Sequence, residues 1–187
     1  ELLVSSCGHY KLLHRQQFTT VRPQGRPDYQ LLYVAGGCAE FSTAAGTGSV
    51  AEGGAVLYRP GEPQRYAYEL ADRPDVYWIH FFGRDIEGLL RELRLFEEPV
   101  MRLPSGGEYA ALFDRIIREL QLKRENHRRL CSLYGLELLT LFSRQRQEWE
   151  ARPQRLCEPV ERAIRLFHTR YGEPLELTAY ARECGDS

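Results

Sequence analysis

Five histidines could do metal or acid–base chemistry: His9, His14, His80, His127 and His168. A strand that grips a metal needs two imidazoles at alternate positions, because residues i and i+2 point the same way. No two of these histidines are two apart. After the Pro60-Gly61 turn, Gln64 and Tyr66 stand where such a pair would be placed. The five cysteines, Cys7, Cys38, Cys131, Cys157 and Cys184, are odd in number, widely spaced and form no CxxC. That pattern predicts neither a zinc site nor a disulfide framework, and it fits a reducing cytoplasm. GxSxG, P-loop and dinucleotide fingerprints are missing. The Gly36-Gly37 and Gly53-Gly54 pairs read as turns, since neither opens a helix. No catalytic residue, metal or cofactor is therefore predicted, and what remains is binding chemistry carried by aromatic and polar side chains.

Those side chains sit on strands up to about Phe82. Tyr29 to Val34 is a short apolar run ended by Gly36-Gly37, and Ala55 to Tyr58 is halted by Arg59-Pro60-Gly61. Gln64 to Leu70 resumes with period two, and Val76 to Phe82 is the strongest strand of the chain. Short strands with turn signals every ten or so residues predict a barrel or sandwich. Alternation puts Tyr77, Ile79 and Phe81 on one face of the last strand and Trp78, His80 and Phe82 on the other.

After Gly83 the period changes. Tyr109, Leu112, Phe113, Ile116 and Leu120 make one helical stripe. Leu130, Leu133, Tyr134, Leu138 and Leu141 make a second, widened by Leu136, Leu139 and Phe142. A helix on a single core needs a stripe of roughly 100°. The wider girth calls for a second partner, which is either more of this chain or another subunit. A charged linker is predicted over Arg144 to Arg155, then a helix from Pro159 to Tyr171 and a short one from Thr178 to Cys184.

The 187 residues carry 25 Lys+Arg against 26 Asp+Glu, a formal net charge of -1. A surface that grips nucleic acid by charge alone would show a basic excess. No apolar run approaches the ~20 residues of a membrane span, and no secretory leader is legible in the first residues.

Order and spacing together resemble the AraC/XylS family of bacterial transcription regulators. Four stretches carry the likeness: Asp28 to Val34 before a Gly turn, Gly54 to Tyr66, the Tyr77-Trp78-Ile79-His80-Phe81 signature, and Val160 to Ser187 with Ala163-Ile164 and His168-Thr169-Arg170-Tyr171-Gly172-Glu173-Pro174-Leu175. The resemblance implies an α+β chain. Residues 1–83 would be a cupin-like effector-binding barrel with an N-terminal arm able to fold over the ligand. Residues 84–150 would be a helical dimerisation segment. Residues 151–187 would be a linker and the start of a helix-turn-helix domain, with the remainder of the DNA-contacting part beyond Ser187.

The resemblance also implies a sensor that binds a small effector, a sugar being the favoured class, and that acts as a cytoplasmic homodimer on DNA. Tyr66, Tyr77, Ile79, Gln30 and Gly36 fall at pocket positions. Gly36 stands where an arabinose-type pocket places an Arg, so arabinose itself does not carry over. Dimerisation falls to Leu130, Leu133, Tyr134, Leu138 and Leu141. His80 invites a pH-sensor or ligand reading; the favoured alternative is a His between barrel and helices, hydrogen-bonded and silent. The competing readings are a small-molecule cupin enzyme and a ligandless dimerisation module.

Overall fold

The computed structural model describes residues 1–43, 46–103 and 107–151. Among the described residues nine strands come in the order β1 (Leu2–Lys11), β2 (Gln17–Arg22), β3 (Tyr29–Gly36), β4 (Cys38–Thr43), β5 (Gly46–Ala51), β6 (Gly54–Tyr58), β7 (Gln64–Glu69), β8 (Asp75–Gly83) and β9 (Val100–Arg102). Helix α1 (Ile86–Glu92) lies between β8 and β9, and α2 (Gly107–Leu122) and α3 (His127–Ala151) follow. Glu1–Arg146 forms one compact unit. The linker and the two helices expected beyond Ala151 lie outside the described residues.

Two antiparallel sheets form, a five-stranded one in the order β1-β8-β3-β6-β9 and a four-stranded one in the order β2-β7-β4-β5. The five-stranded sheet is the middle layer. One face, with Leu32, Val34, Val56 and Val76, shares a core with Phe41, Tyr66 and Tyr68 of the other sheet. The opposite face, with Leu31, Tyr33, Tyr77, Ile79 and Phe81, shares a core with Leu112, Phe113, Leu138 and Phe142 of the helices. Burial on both sides explains why β3 and β6 read as unbroken apolar runs, whereas half-exposed strands alternate.

Three sequence expectations shift. The segment expected as an N-terminal arm holds part of β1, which pairs along β8, and β2, which pairs along β7. Strand structure does not stop at Gly83, because β9 pairs with β6. Helix α3 continues through the first eight of the twelve residues of the expected linker, to Ala151, since Arg144 to Trp149 contains no helix breaker. Among the described residues no helix is long and apolar enough to cross a membrane.

Candidate functional site

The space between the sheets is apolar through most of its length. Tyr10 lies tilted against Phe18 at 4.4 Å between ring centroids, and Phe18 stacks on Tyr68 at 5.7 Å. One end of it is polar. Register places Arg22 of β2 opposite Gln64 of β7, and Gln30 of β3 opposite His80 of β8. Gln64 and Tyr66 are two apart on β7 and so share a face.

Arg22 spans the gap between the sheets. Its Nη1 donates to Gln64 Oε1 at 3.0 Å, Tyr66 Oη at 3.1 Å and Gln30 Oε1 at 3.4 Å. Its guanidinium lies 6.0 Å from the Tyr66 ring. Gln30 Nε2 also donates to Tyr66 Oη, at 3.4 Å. Because Arg22 takes the oxygen of both amides, Gln64 Nε2 is turned away, buried and without a partner among the described residues.

His80 forms the adjoining wall. A bulge between Val4 and Ser6 in β1 places two consecutive serines on this end. Ser6 Oγ lies 2.8 Å from His80 Nδ1, and Ser5 Oγ donates to Asp28 Oδ2 at 3.1 Å. His80 Nε2 is buried with no partner among the described residues. Burial, and then the nearby Arg26 and Arg22 charges, push the imidazole pKa down to about 4, so the ring is neutral near pH 7. Trp78 packs against it at 4.8 Å between ring centroids. Beneath the indole lies Gly8, where a Cβ would come within 2.4 Å of Trp78 Cζ2, so a side chain there would displace the indole.

Arg26 clamps Asp28 with bonds of 2.7 and 3.1 Å. Burial would raise the Asp28 carboxyl, but the hydrogen bonds from Arg26 and Ser5 outweigh it and hold the group below its usual range. This ion pair is self-satisfied and leaves Arg22 as the cation of the cluster with no carboxylate partner among the described residues. No cluster of three or more His, Cys, Asp or Glu side chains suited to a metal occurs among them.

The expected pocket residues separate. Gln30 and Tyr66 meet in this cluster. Tyr77 and Ile79 lie on the other side of the sheet, where Tyr77 stacks on Phe113 of α2 at 5.2 Å and on His9 at 4.1 Å and Ile79 is buried under the helices. Alternation grouped the β8 residues correctly, but the helices take the more apolar face, so Trp78 and His80 face the other sheet. His80 accordingly stands between the two sheets and not between barrel and helices. Gly36 is six residues along β3 from Gln30, ~20 Å at strand rise, and pairs with Asp75 at the far end. Sequence reasoning gave no binding role to Arg22 or Gln64, and favoured a silent His80 over one that reads a ligand. Their signal was the alternation Phe18-Thr20-Arg22 and Trp78-His80, which becomes readable only once the strands are known to pair.

The expected dimer stripe divides too. Leu138 and Leu141 are core residues. Leu130 and Tyr134 are half-buried, with Arg115 over the Tyr134 ring. Leu133 and Leu136 are 55% and 40% exposed. An open groove of about 530 Å³ lies elsewhere, between the turn that includes Arg59 and Glu62 and the segment that includes Phe96 and Pro99. Arg59 sits 4.1 Å over the Phe96 ring there.

Residues 6–143 match the family model described as the AraC-like ligand binding domain. The structure is similar to that of unsaturated fatty acid-bound ToxT from Vibrio cholerae, with 11% identity over 97% of this chain and 68% of that one and a TM-score of 0.48. ToxT bound to (E)-4-(8-methylnaphthalen-1-yl)but-3-enoic acid gives 12% identity, 95% and 70% coverage and a TM-score of 0.46. The AraC-like transcriptional activator CuxR gives 14% identity, 92% and 64% coverage and a TM-score of 0.38. No curated protein sequence matches the chain.

Proposed function

The chain belongs to the AraC-like ligand binding domain family, and on that premise we propose that it is the effector-sensing and dimerising part of a cytoplasmic transcription regulator. The observation that carries this reading is the polar end of the inter-sheet space. Arg22, Gln30, Gln64 and Tyr66 converge there, and Gln64 Nε2 and His80 Nε2 are buried without partners among the described residues. Buried polar atoms left unpaired are costly, and a bound molecule that satisfies them recovers that cost. A cupin-like barrel is the architecture that fits these two facing sheets.

The effector is a small hydrophilic molecule of the sugar class. Tyr66 and Trp78 offer faces for its C–H groups, and the amides and imidazole serve its rim. Binding would tighten the tie that Arg22 already makes between the sheets. The strands touched on that side carry Tyr77, Ile79 and Phe81 against the helices on the other, so occupancy biases how α2 and α3 sit. Leu133 and Leu136 of α3 supply the apolar part of a homodimer contact, and DNA is engaged through a helix-turn-helix region that Thr178 to Ser187 would begin.

A thermal-shift screen of the full chain against mono- and disaccharides and their derivatives tests the reading. A ligand at ~100 times its dissociation constant stabilises by about 2.7 kcal/mol. The shift should vanish in Tyr66→Ala and persist in Tyr77→Phe. A shift that survives Tyr66→Ala would place the ligand elsewhere.

A further inference from the structure

The donors and acceptors in the inter-sheet cluster do not balance. Arg22 is acceptor-free, and one of its nitrogens, with two hydrogens, already serves three oxygens. Tyr66 Oη accepts from Arg22 and from Gln30, and its own hydrogen meets no acceptor among the described residues. Gln64 Nε2 presents two more hydrogens, buried and unpaired, on a side chain that is 2% exposed. The one carboxylate nearby, Asp28, is occupied by Arg26 and Ser5. The cluster is thus rich in unused donors, poor in acceptors, and carries one positive charge that no acid among the described residues answers.

A hydroxyl donates as well as accepts, so a neutral polyol would bring further donors to a place that already has too many. An ionised carboxylate only accepts, has room for about four hydrogen bonds, and neutralises the guanidinium. We propose that the effector carries a carboxylate, seated between Arg22, Gln64 Nε2 and the Tyr66 hydroxyl, with the unpaired nitrogen of His80 reading a neighbouring polar group of the same molecule. Within the sugar class this selects a sugar acid over the parent sugar. The inference rests on the reading of this cluster as the effector site.

The test pairs each acid with a neutral counterpart of the same skeleton: D-glucuronate with D-glucose, D-galacturonate with D-galactose, benzoate with benzyl alcohol. Inorganic phosphate and chloride at matched ionic strength control for anions in general. Binding to the full chain is read by thermal shift and calorimetry. At least one acid should stabilise the wild type where its neutral partner does not. Arg22→Gln should weaken that acid by about 10- to 100-fold, as befits a lost hydrogen bond to a charged group, and Arg22→Lys should restore part of it. The sugar-acid pairs separate a sugar acid from other carboxylates.

A neutral compound that binds as well as its acid, with no effect of Arg22→Gln, overturns the carboxylate and leaves the sensor standing. A phosphate preference also overturns it. If neither class binds the wild type, both the inference and the sensor reading fall. Should Arg22→Gln fail to fold, the acid–neutral contrast in the wild type and its loss in Gln64→Leu decide the question.

Discussion

The two faces of the middle sheet are both buried, yet they are built for different tasks. Toward the helices β8 presents Tyr77, Ile79 and Phe81 to a wall of leucine and phenylalanine. Toward the other sheet it presents Val76, Trp78 and His80, and the space ends in Arg22, two glutamines and a tyrosine hydroxyl. The first face gains stability from every contact. The second leaves polar atoms unpaired, which lowers stability and makes sense where another molecule completes the set. On the proposed reading, stability and binding sit one strand-thickness apart.

Substitutions should separate the two faces. The largest effect is expected on the helix side. Phe113 is fully buried and touches Tyr33 and Tyr77, so Phe113→Ala should cost about 3–5 kcal/mol and lower the melting temperature by roughly 10 °C. Chemical denaturation that shows no loss would mean the helices do not hold the sheet.

Acid should act on the inter-sheet side. The His80 pKa is about 4 in the folded chain against an ordinary 6.5, so the unfolded chain takes up the proton first. The stability tied to the neutral ring is complete above pH 6.5 and is lost as pH falls from 6.5 toward 4, about 2 kcal/mol once solvent screening is allowed for. His80→Gln should flatten this part of a stability–pH curve. An unchanged slope would show that the ring titrates as it does in water. Asp28, held below its usual range, adds a further loss at lower pH.

Tyr66→Phe should lower stability by only about 1 kcal/mol while weakening the effector far more than that. Equal losses in melting temperature and in affinity would erase the distinction between the faces. The smallest effect on the fold belongs to the outer surface of α3. Leu133→Glu with Leu136→Glu should leave monomer stability within about 0.5 kcal/mol and abolish the dimer in sedimentation. Leu138→Glu, by contrast, should unfold the chain. A dimer that persists with both outer leucines replaced would rule out this face.

The sequence made part of this legible. The strands at β3, β6, β7 and β8 and the helix α2 lie within about two residues of where their apolar patterns put them, because strong burial leaves a strong pattern. The half-exposed β1 and β2 escaped notice, and so did the seven-residue α1, too short to show a period. Periodicity also told which β8 residues share a face without telling which layer that face meets. That choice depends on what the rest of the chain brings up against it, and it moved Tyr77 and Ile79 to the helices and Trp78 and His80 inward. Arg22 could not be joined to Gln64, 42 residues away, before β2 was known to pair with β7.

The double duty of β8 makes the reading frame of a single strand a determinant of specificity. On the proposed reading, the odd positions from Tyr77 to Phe81 answer to folding, and Trp78 and His80 to what is recognised. Even positions can therefore drift toward a new signal while odd ones are held in place. Gaining or losing one residue between Asp75 and Phe81 would exchange the two sets, setting aromatic packing residues among unpaired amides and an imidazole against the helices. Length in this strand is thereby under tighter constraint than the identity of its inward-facing residues.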